Sequence, residues 1–154
     1  MPRLWRISNY ATLNGRGGLT YPARWHHAGW PVVYLAESPA GALLEALVHL
    51  MMDPEDIPDG FQLLQVEVPD SLEVADLSLP AGKAWRNDVE LTRQTGDAWL
   101  QGRTTSLARV PSALVPQTVN FLLNPMHPDA RRITIAEVFK DRYDLRLLGR
   151  FSGS

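Results

Sequence analysis

The sequence predicts an α+β fold, and three observations carry that expectation. Stretches with the two-residue alternation of a strand recur along the chain, and Phe61-Gln-Leu-Leu-Gln-Val-Glu-Val68 is the clearest of them. Only two segments combine helical spacing with helical length, near residues 39–52 and 90–101. Strands and helices do not alternate in a βαβ rhythm, so mostly antiparallel sheet flanked by a few helices is expected, not a doubly wound sheet. With 154 residues and no repeat, low-complexity tract or Ser/Gly linker, the chain reads as a single domain over 1–154, long enough to bury a core.

In chain order, Leu4-Trp-Arg-Ile7 reads as a short first strand. Asn14-Gly-Arg-Gly-Gly18 follows as a loop; it has no Rossmann context, because no helix signal comes after it. Val32-Val-Tyr-Leu35, β-branched and aromatic, reads as a second strand. Ser38-Pro39 then signals a helix start, a hydroxyl N-cap followed by proline at the first helical position. That helix is expected to run to about Met52, where Asp53-Pro54 stops it. Its apolar arc is Leu43, Leu44, Leu47, Val48, Leu50 and Met51, with Glu45 and His49 projecting together from the other side.

Phe61–Val68 alternates with Leu64, Val66 and Val68 on one face and Gln65 and Glu67 on the other, as in a sheet with one wet face. A second helix is expected from Glu90 to about Gln101. Leu107 to Val115 reads as one or two strands broken at Pro111, Ile133 to Val138 as another, and Tyr143 to Leu148 as the last.

Composition narrows the function classes. Hydrophobic residues at 45% and charged residues at 21% are ordinary for a globular protein. Zero cysteines exclude disulfides, Cys metal sites and a Cys nucleophile, and fit a reducing, cytoplasmic setting. The start lacks a signal-like apolar stretch, and no apolar run approaches bilayer length, so no membrane association is expected. The net charge of −2 is uneven: residues 1–36 carry four Arg and no acid, whereas 37–97 carry thirteen acids against three bases. An acid-free opening suits an anionic ligand, while the chain as a whole is too acidic for nucleic acid as a default partner.

Three polar residues stand in stretches that otherwise read as core: Arg24 in Tyr21-Pro-Ala-Arg-Trp, Glu45 in Leu43-Leu-Glu-Ala-Leu, and Ser112 in Val110-Pro-Ser-Ala-Leu. Burying such groups without partners is costly, so one shared polar site is expected. Arg24 offers forked, permanently charged donors to a phosphate, against the ordinary fate of a surface arginine. Ser112 lacks the Gly-x-Ser-x-Gly setting of an acyl-transfer nucleophile, so a hydrogen-bonding role is expected, against that of a satisfied core hydroxyl. Asn120 is a further candidate for the site wall, while Asn124-Pro125 reads at least as well as a turn. No metal is expected: His26 and His27 are adjacent and would face opposite ways on a strand, and Glu45 with His49 lacks a His-Glu-x-x-His partner. His127-Pro-Asp129 reads as the cap of a short turn.

These segments, in the order Gly-rich loop, Arg24-Trp25, Val32-Val-Tyr34, Leu43-Leu-Glu-Ala-Leu-Val-His49, Val110-Pro-Ser-Ala-Leu-Val-Pro116 and Asn120-Phe-Leu-Leu-Asn-Pro125, resemble the RES domain, a toxin family named for its Arg, Glu and Ser. The resemblance runs from Leu4 to about Arg146. It implies a fold like that of ADP-ribosyltransferase toxins, NAD as the substrate, and cleavage of the nicotinamide–ribose bond. It also implies Arg24, Glu45 and Ser112 as catalytic residues, and Arg24, Tyr34, Ser112 and Asn120 in contact with NAD. Glu45 would stabilise the cationic ribose, and Tyr34 would stack on nicotinamide or its ribose. The implied partner is a helix-turn-helix DNA-binding antitoxin that occludes the active site. Two other readings stand beside this one: a transferase that passes ADP-ribose to a protein, and a non-catalytic nucleotide-binding regulator.

Overall fold

In the computed structural model, which describes residues 3–50, 60–77, 79 and 84–148, one seven-stranded sheet runs through the chain. Its strands are β1 (Arg3–Ile7), β2 (Val33–Ala36), β3 (Gly60–Glu67), β4 (Val74–Asp76), β5 (Leu107–Pro111), β6 (Val119–Leu123) and β7 (Thr134–Arg142). They lie in the order β4-β5-β6-β2-β1-β3-β7, antiparallel throughout except for the β4–β5 pair. The helices are α1 (Gly17–Thr20), α2 (Pro39–Leu50), α3 (Val89–Gly102) and α4 (Leu145–Leu148), with 3-10 turns at Ala84–Asn87 and Pro128–Arg132. This is the α+β class that the pattern predicts.

The central strands are buried on both faces, and residue parity decides which core each side chain joins. Val33 and Leu35 of β2, Leu64 and Val66 of β3, and Leu107 and Leu123 pack on one side. Ala108, Val110 and Leu122 point to the other, under Trp25, Trp85, Trp99 and Leu100. The second core is thus closed by α3, by the 84–87 turn and by the segment around Trp25. Two-sided burial corrects the expectation of a wet face on β3, because Gln65 is only 8% exposed.

The segment from Ala23 to His27 is a tight turn closed by an Ala23–His26 bridge, and α3 holds it residue by residue. Arg93 Nε donates to the Ala23 carbonyl at 2.8 Å, and Thr92 Oγ1 to the Arg24 carbonyl at 2.5 Å. The Trp25 carbonyl lies against Gly96, where a Cβ would stand 1.7 Å from its oxygen. Asp97 accepts from the His27 backbone N–H at 3.0 Å. Helix α3 itself begins at an N-cap, Asp88, whose carboxylate accepts from the Leu91 N–H.

Several local expectations are corrected. The loop at 14–18 leads into a one-turn helix, α1, in which the Tyr21 N–H closes on the Gly17 carbonyl. Tyr143 to Leu148 is not a strand but ends in α4, started by the Leu147 N–H bonded to Asp144 O. The segment after Pro111 turns instead of continuing as strand, and β4 and β6 are strands that no pattern announced. Helix α2 starts where predicted, with Ser38 Oγ accepting from the Gly41 N–H at 2.9 Å. Its buried side runs through Ala42, however, and Leu44 and Val48 are 42% and 37% exposed. The expected stop at Met52 and Asp53-Pro54 lies outside the described residues, as does the side chain of His49.

Candidate active site

The site forms where α2 crosses the ends of β5 and β6. Glu45 Oε1 accepts two hydrogen bonds, from Ser112 Oγ at 3.0 Å and from Asn120 Nδ2 at 2.9 Å. Ser112 follows the last residue of β5, and Asn120 is paired in register with Val110 and with Ala36 of β2. Sheet geometry therefore fixes both donors, and α2 brings the carboxylate to them. The two bonds fall on the same oxygen, so Oε2 has no hydrogen bond among the described residues.

Ser112 is 3% exposed and fully engaged. Besides donating to Glu45, its Oγ accepts from the Leu114 and Val115 N–H groups at 3.1 and 3.2 Å. An oxygen held this way organises a turn and orients a carboxylate; it is not poised as a nucleophile. Beside this cluster opens a cavity of about 480 Å³, within the usual span for small-molecule sites. Glu37, Ser38, Gly41, Leu44, Glu45, Ser112, Val115, Thr118 and Asn120 are among its walls. Glu37 and Thr118 were not singled out from the sequence, and Ser38 only as a helix cap, since single polar residues at element ends carry no periodic signal.

Arg24 stands beside the cluster without lining that cavity. Its Nη2 donates to the Arg86 carbonyl at 2.5 Å. Partial burial lowers its pKa, the Arg86 and Arg93 charges lower it further, and the nearby Glu45 carboxylate opposes them. No ion pair joins Arg24, Arg86 or Arg93 to an acid among the described residues; each donates to backbone carbonyls, Arg24 to Arg86, Arg86 to Ala113 and Leu114, and Arg93 to Ala23.

Tyr34 is tied through its hydroxyl to the segment that carries Arg24. Its hydroxyl accepts from the Trp25 N–H at 2.9 Å and lies 2.8 Å from His26 Nδ1. His26 Nε2 sits 3.0 Å from the Tyr21 carbonyl, which only accepts, so Nε2 carries the proton and the tyrosine donates to Nδ1. Burial pushes the Tyr34 pKa up and the His26 pKa down, which keeps both neutral. Tyr34 thereby braces the segment that carries Arg24. Asn124 is a turn residue: it is 1% exposed, with Nδ2 donating to Leu100 O and Oδ1 accepting from the Met126 N–H. His127 caps the turn after it through the Asp129 N–H. No group of side chains able to hold a metal ion occurs among the described residues. None of the described helices is long and apolar enough to cross a membrane.

His27 clamps the Arg24 segment to α3 from the outside, with Nδ1 2.5 Å from Asp97 Oδ2 and Nε2 3.0 Å from Glu90 Oε2. Its bond to Asp97, then that to Glu90, raises its pKa above the ordinary 6.5. A raised folded value means that the clamp's contribution is complete below about pH 6.5 and is lost as pH climbs through the raised value. The unfolding midpoint in urea is therefore expected to fall over that window in the wild type. His27→Gln should flatten this part of the profile, and an equal fall in both proteins would remove the clamp from the account.

Three comparisons with known proteins complete the site. The RES domain family is matched over residues 3–147. A Pseudomonas putida protein named Toxin Res is 51% identical over 133 residues, 86% of this chain and 90% of that protein. A Sphingobium protein named Prs ADP-ribosylating toxin is 37% identical over 155 residues, 94% of this chain and 95% of that protein. Among solved structures, the Mycobacterium tuberculosis MbcT–MbcA toxin–antitoxin complex has a chain that superposes with a TM-score of 0.72. That match has 18% identity and covers 91% of this chain and 84% of the other, a likeness of fold.

Proposed function

The chain belongs to the RES domain family, and from that premise we propose that it is the toxin of a toxin–antitoxin pair and an NAD glycohydrolase. The observation that carries the chemistry is the arrangement at Glu45: two neutral donors hold one carboxylate oxygen and leave the other for a ligand in the adjoining cavity. In the reaction, the bond between nicotinamide N1 and ribose C1′ breaks, and its electron pair leaves with nicotinamide, which becomes neutral. The ribose acquires oxocarbenium character, water oxygen bonds to C1′, and the water gives up one proton to solvent. A fixed carboxylate stabilises the developing positive charge and needs no reorganisation to do so.

Arg24 would take the pyrophosphate, with its permanent charge and forked donors. Ser112 and Asn120 act through Glu45 by orienting it. Tyr34 braces the Arg24 segment through its hydroxyl, which is bonded to Trp25 and His26, while its ring is proposed to stack on nicotinamide or its ribose. No metal enters the scheme. The partner proposed is an antitoxin of the helix-turn-helix type that covers this cavity; a toxin–antitoxin complex as structural neighbour supports an antitoxin as partner. A cytoplasmic site of action follows from NAD as substrate.

A second reading rests on the Sphingobium relative, whose name is that of an ADP-ribosylating toxin. In that case a protein side chain replaces water as the acceptor. Induction of the chain alone in cells separates the two readings. The glycohydrolase predicts growth arrest with collapse of total NAD within minutes, relieved by Glu45→Gln. Arrest with an undiminished NAD pool and an ADP-ribosylated protein would overturn it in favour of the transferase.

A further inference from the structure

Arg86 stands between the two halves of the site. It lies in the 3-10 turn Ala84–Asn87, next to the buried Trp85. Its side chain reaches the loop between β5 and β6, with Nε donating to Ala113 O at 3.0 Å and Nη2 to Leu114 O at 3.2 Å. Its own carbonyl accepts from Arg24 Nη2. The loop it grips is the one wrapped around Ser112 Oγ, which accepts from the Leu114 and Val115 N–H groups while donating to Glu45. An unbroken path of hydrogen bonds thus runs from the Arg24 guanidinium through Arg86 to the Glu45 carboxylate.

A dinucleotide bound at both ends requires those ends to be held at a fixed spacing. A misplacement of about 1 Å at the reacting centre costs about a hundredfold in rate. Loss of the Arg86 side chain would leave two loop carbonyls without their donors and let the Ser112 turn move. The guanidinium is suited to this task because its fork reaches two successive carbonyls at once, which one ammonium does less well.

We infer that Arg86 is a positioning residue for NAD cleavage, a strut that sets Arg24 and the Ser112–Glu45 pair at a fixed distance. The inference rests on the NAD-cleaving reading, and the test keeps the two apart. Nicotinamide release by the purified wild type is measured first; absence of release from folded protein overturns both the reading and the strut built on it.

With release established, Arg86→Ala is expected to lower kcat by about tenfold or more and to raise KM for NAD by about tenfold. Arg86→Lys should recover part of each loss. The decisive readout is a double-mutant cycle, since Arg86 acts on the chemical step only through Glu45. In a Glu45→Gln background, Arg86→Ala should therefore cost little further kcat, while the weakening of NAD binding through Arg24 persists by calorimetry. Should Arg86→Ala not fold, the same cycle is run with Arg86→Lys. Wild-type kcat and KM in the folded Arg86 variant would overturn the strut, and so would a kcat loss that simply multiplies that of Glu45→Gln.

Discussion

Glu45→Gln is expected to abolish nearly all turnover while leaving the fold and NAD binding in place. The amide is close in shape to the carboxylate, and its oxygen can still accept from Ser112 Oγ and Asn120 Nδ2. The side chain therefore keeps its orientation, and only the negative charge is lost. Removing one preorganised electrostatic contact to a transition state costs about 10²–10³ in kcat, roughly 2.7–4 kcal/mol. The measurement is kcat for nicotinamide release beside the NAD dissociation constant and the melting temperature. Near-normal kcat in a folded Glu45→Gln protein would remove the carboxylate from the mechanism.

Gly96→Ala is the second large effect, and it acts at a distance from the cavity. A Cβ at this position would lie 1.7 Å from the Trp25 carbonyl oxygen and 2.8 Å from its carbon, both of them backbone atoms. Neither can rotate away, so α3 must separate from the segment that carries Arg24. Overpacking of this kind costs about 3 kcal/mol. Movement of α3 would also disturb the Thr92 and Arg93 bonds to the Arg24 and Ala23 carbonyls. A marked fall of the urea midpoint is expected, with a rise in KM for NAD in whatever folded protein remains. An unchanged midpoint would mean that α3 does not hold this segment as described.

The elements that could be read in advance are those whose own residues state their environment. Ser38-Pro39 announces α2 because capping is local chemistry. The alternation of Phe61 to Val68 announces β3, and the β-branched pair at Val32-Val33 announces β2. Strand β4 has only three residues, too few for a period to repeat, and exists through its parallel pairing to β5. Leu145 and Leu147 have strand-like spacing but are 80% and 41% exposed in a single helical turn, so no buried face enforced the alternation. The leucine arc of α2 misled for a related reason: the small Ala42 permits the close packing, while Leu44 borders the cavity.

At the site, Glu45, Ser112 and Asn120 meet in space although 67 and 75 residues separate the glutamate from its two donors. Glu45 and Ser112 stood out as polar residues in apolar settings, an oddity visible in the sequence, and Asn120 was a further candidate for the site wall. What was not visible is the scaffold behind Arg24. Arg86, Thr92, Gly96 and Asp97 are ordinary residue types for a turn and a helix, and they matter because α3 happens to face the segment from Ala23 to His27. Tyr34 shows the converse case, where an aromatic polar residue beside the site has its hydroxyl committed to the scaffold.

The most direct test of the account is the fate of NAD incubated with the purified protein in the absence of any other macromolecule. The account predicts that nicotinamide and ADP-ribose appear in equal amounts as NAD disappears, and that Glu45→Gln suppresses both products together. NAD recovered intact from folded protein would contradict it, as would nicotinamide release that occurs only when an acceptor protein is added and becomes labelled.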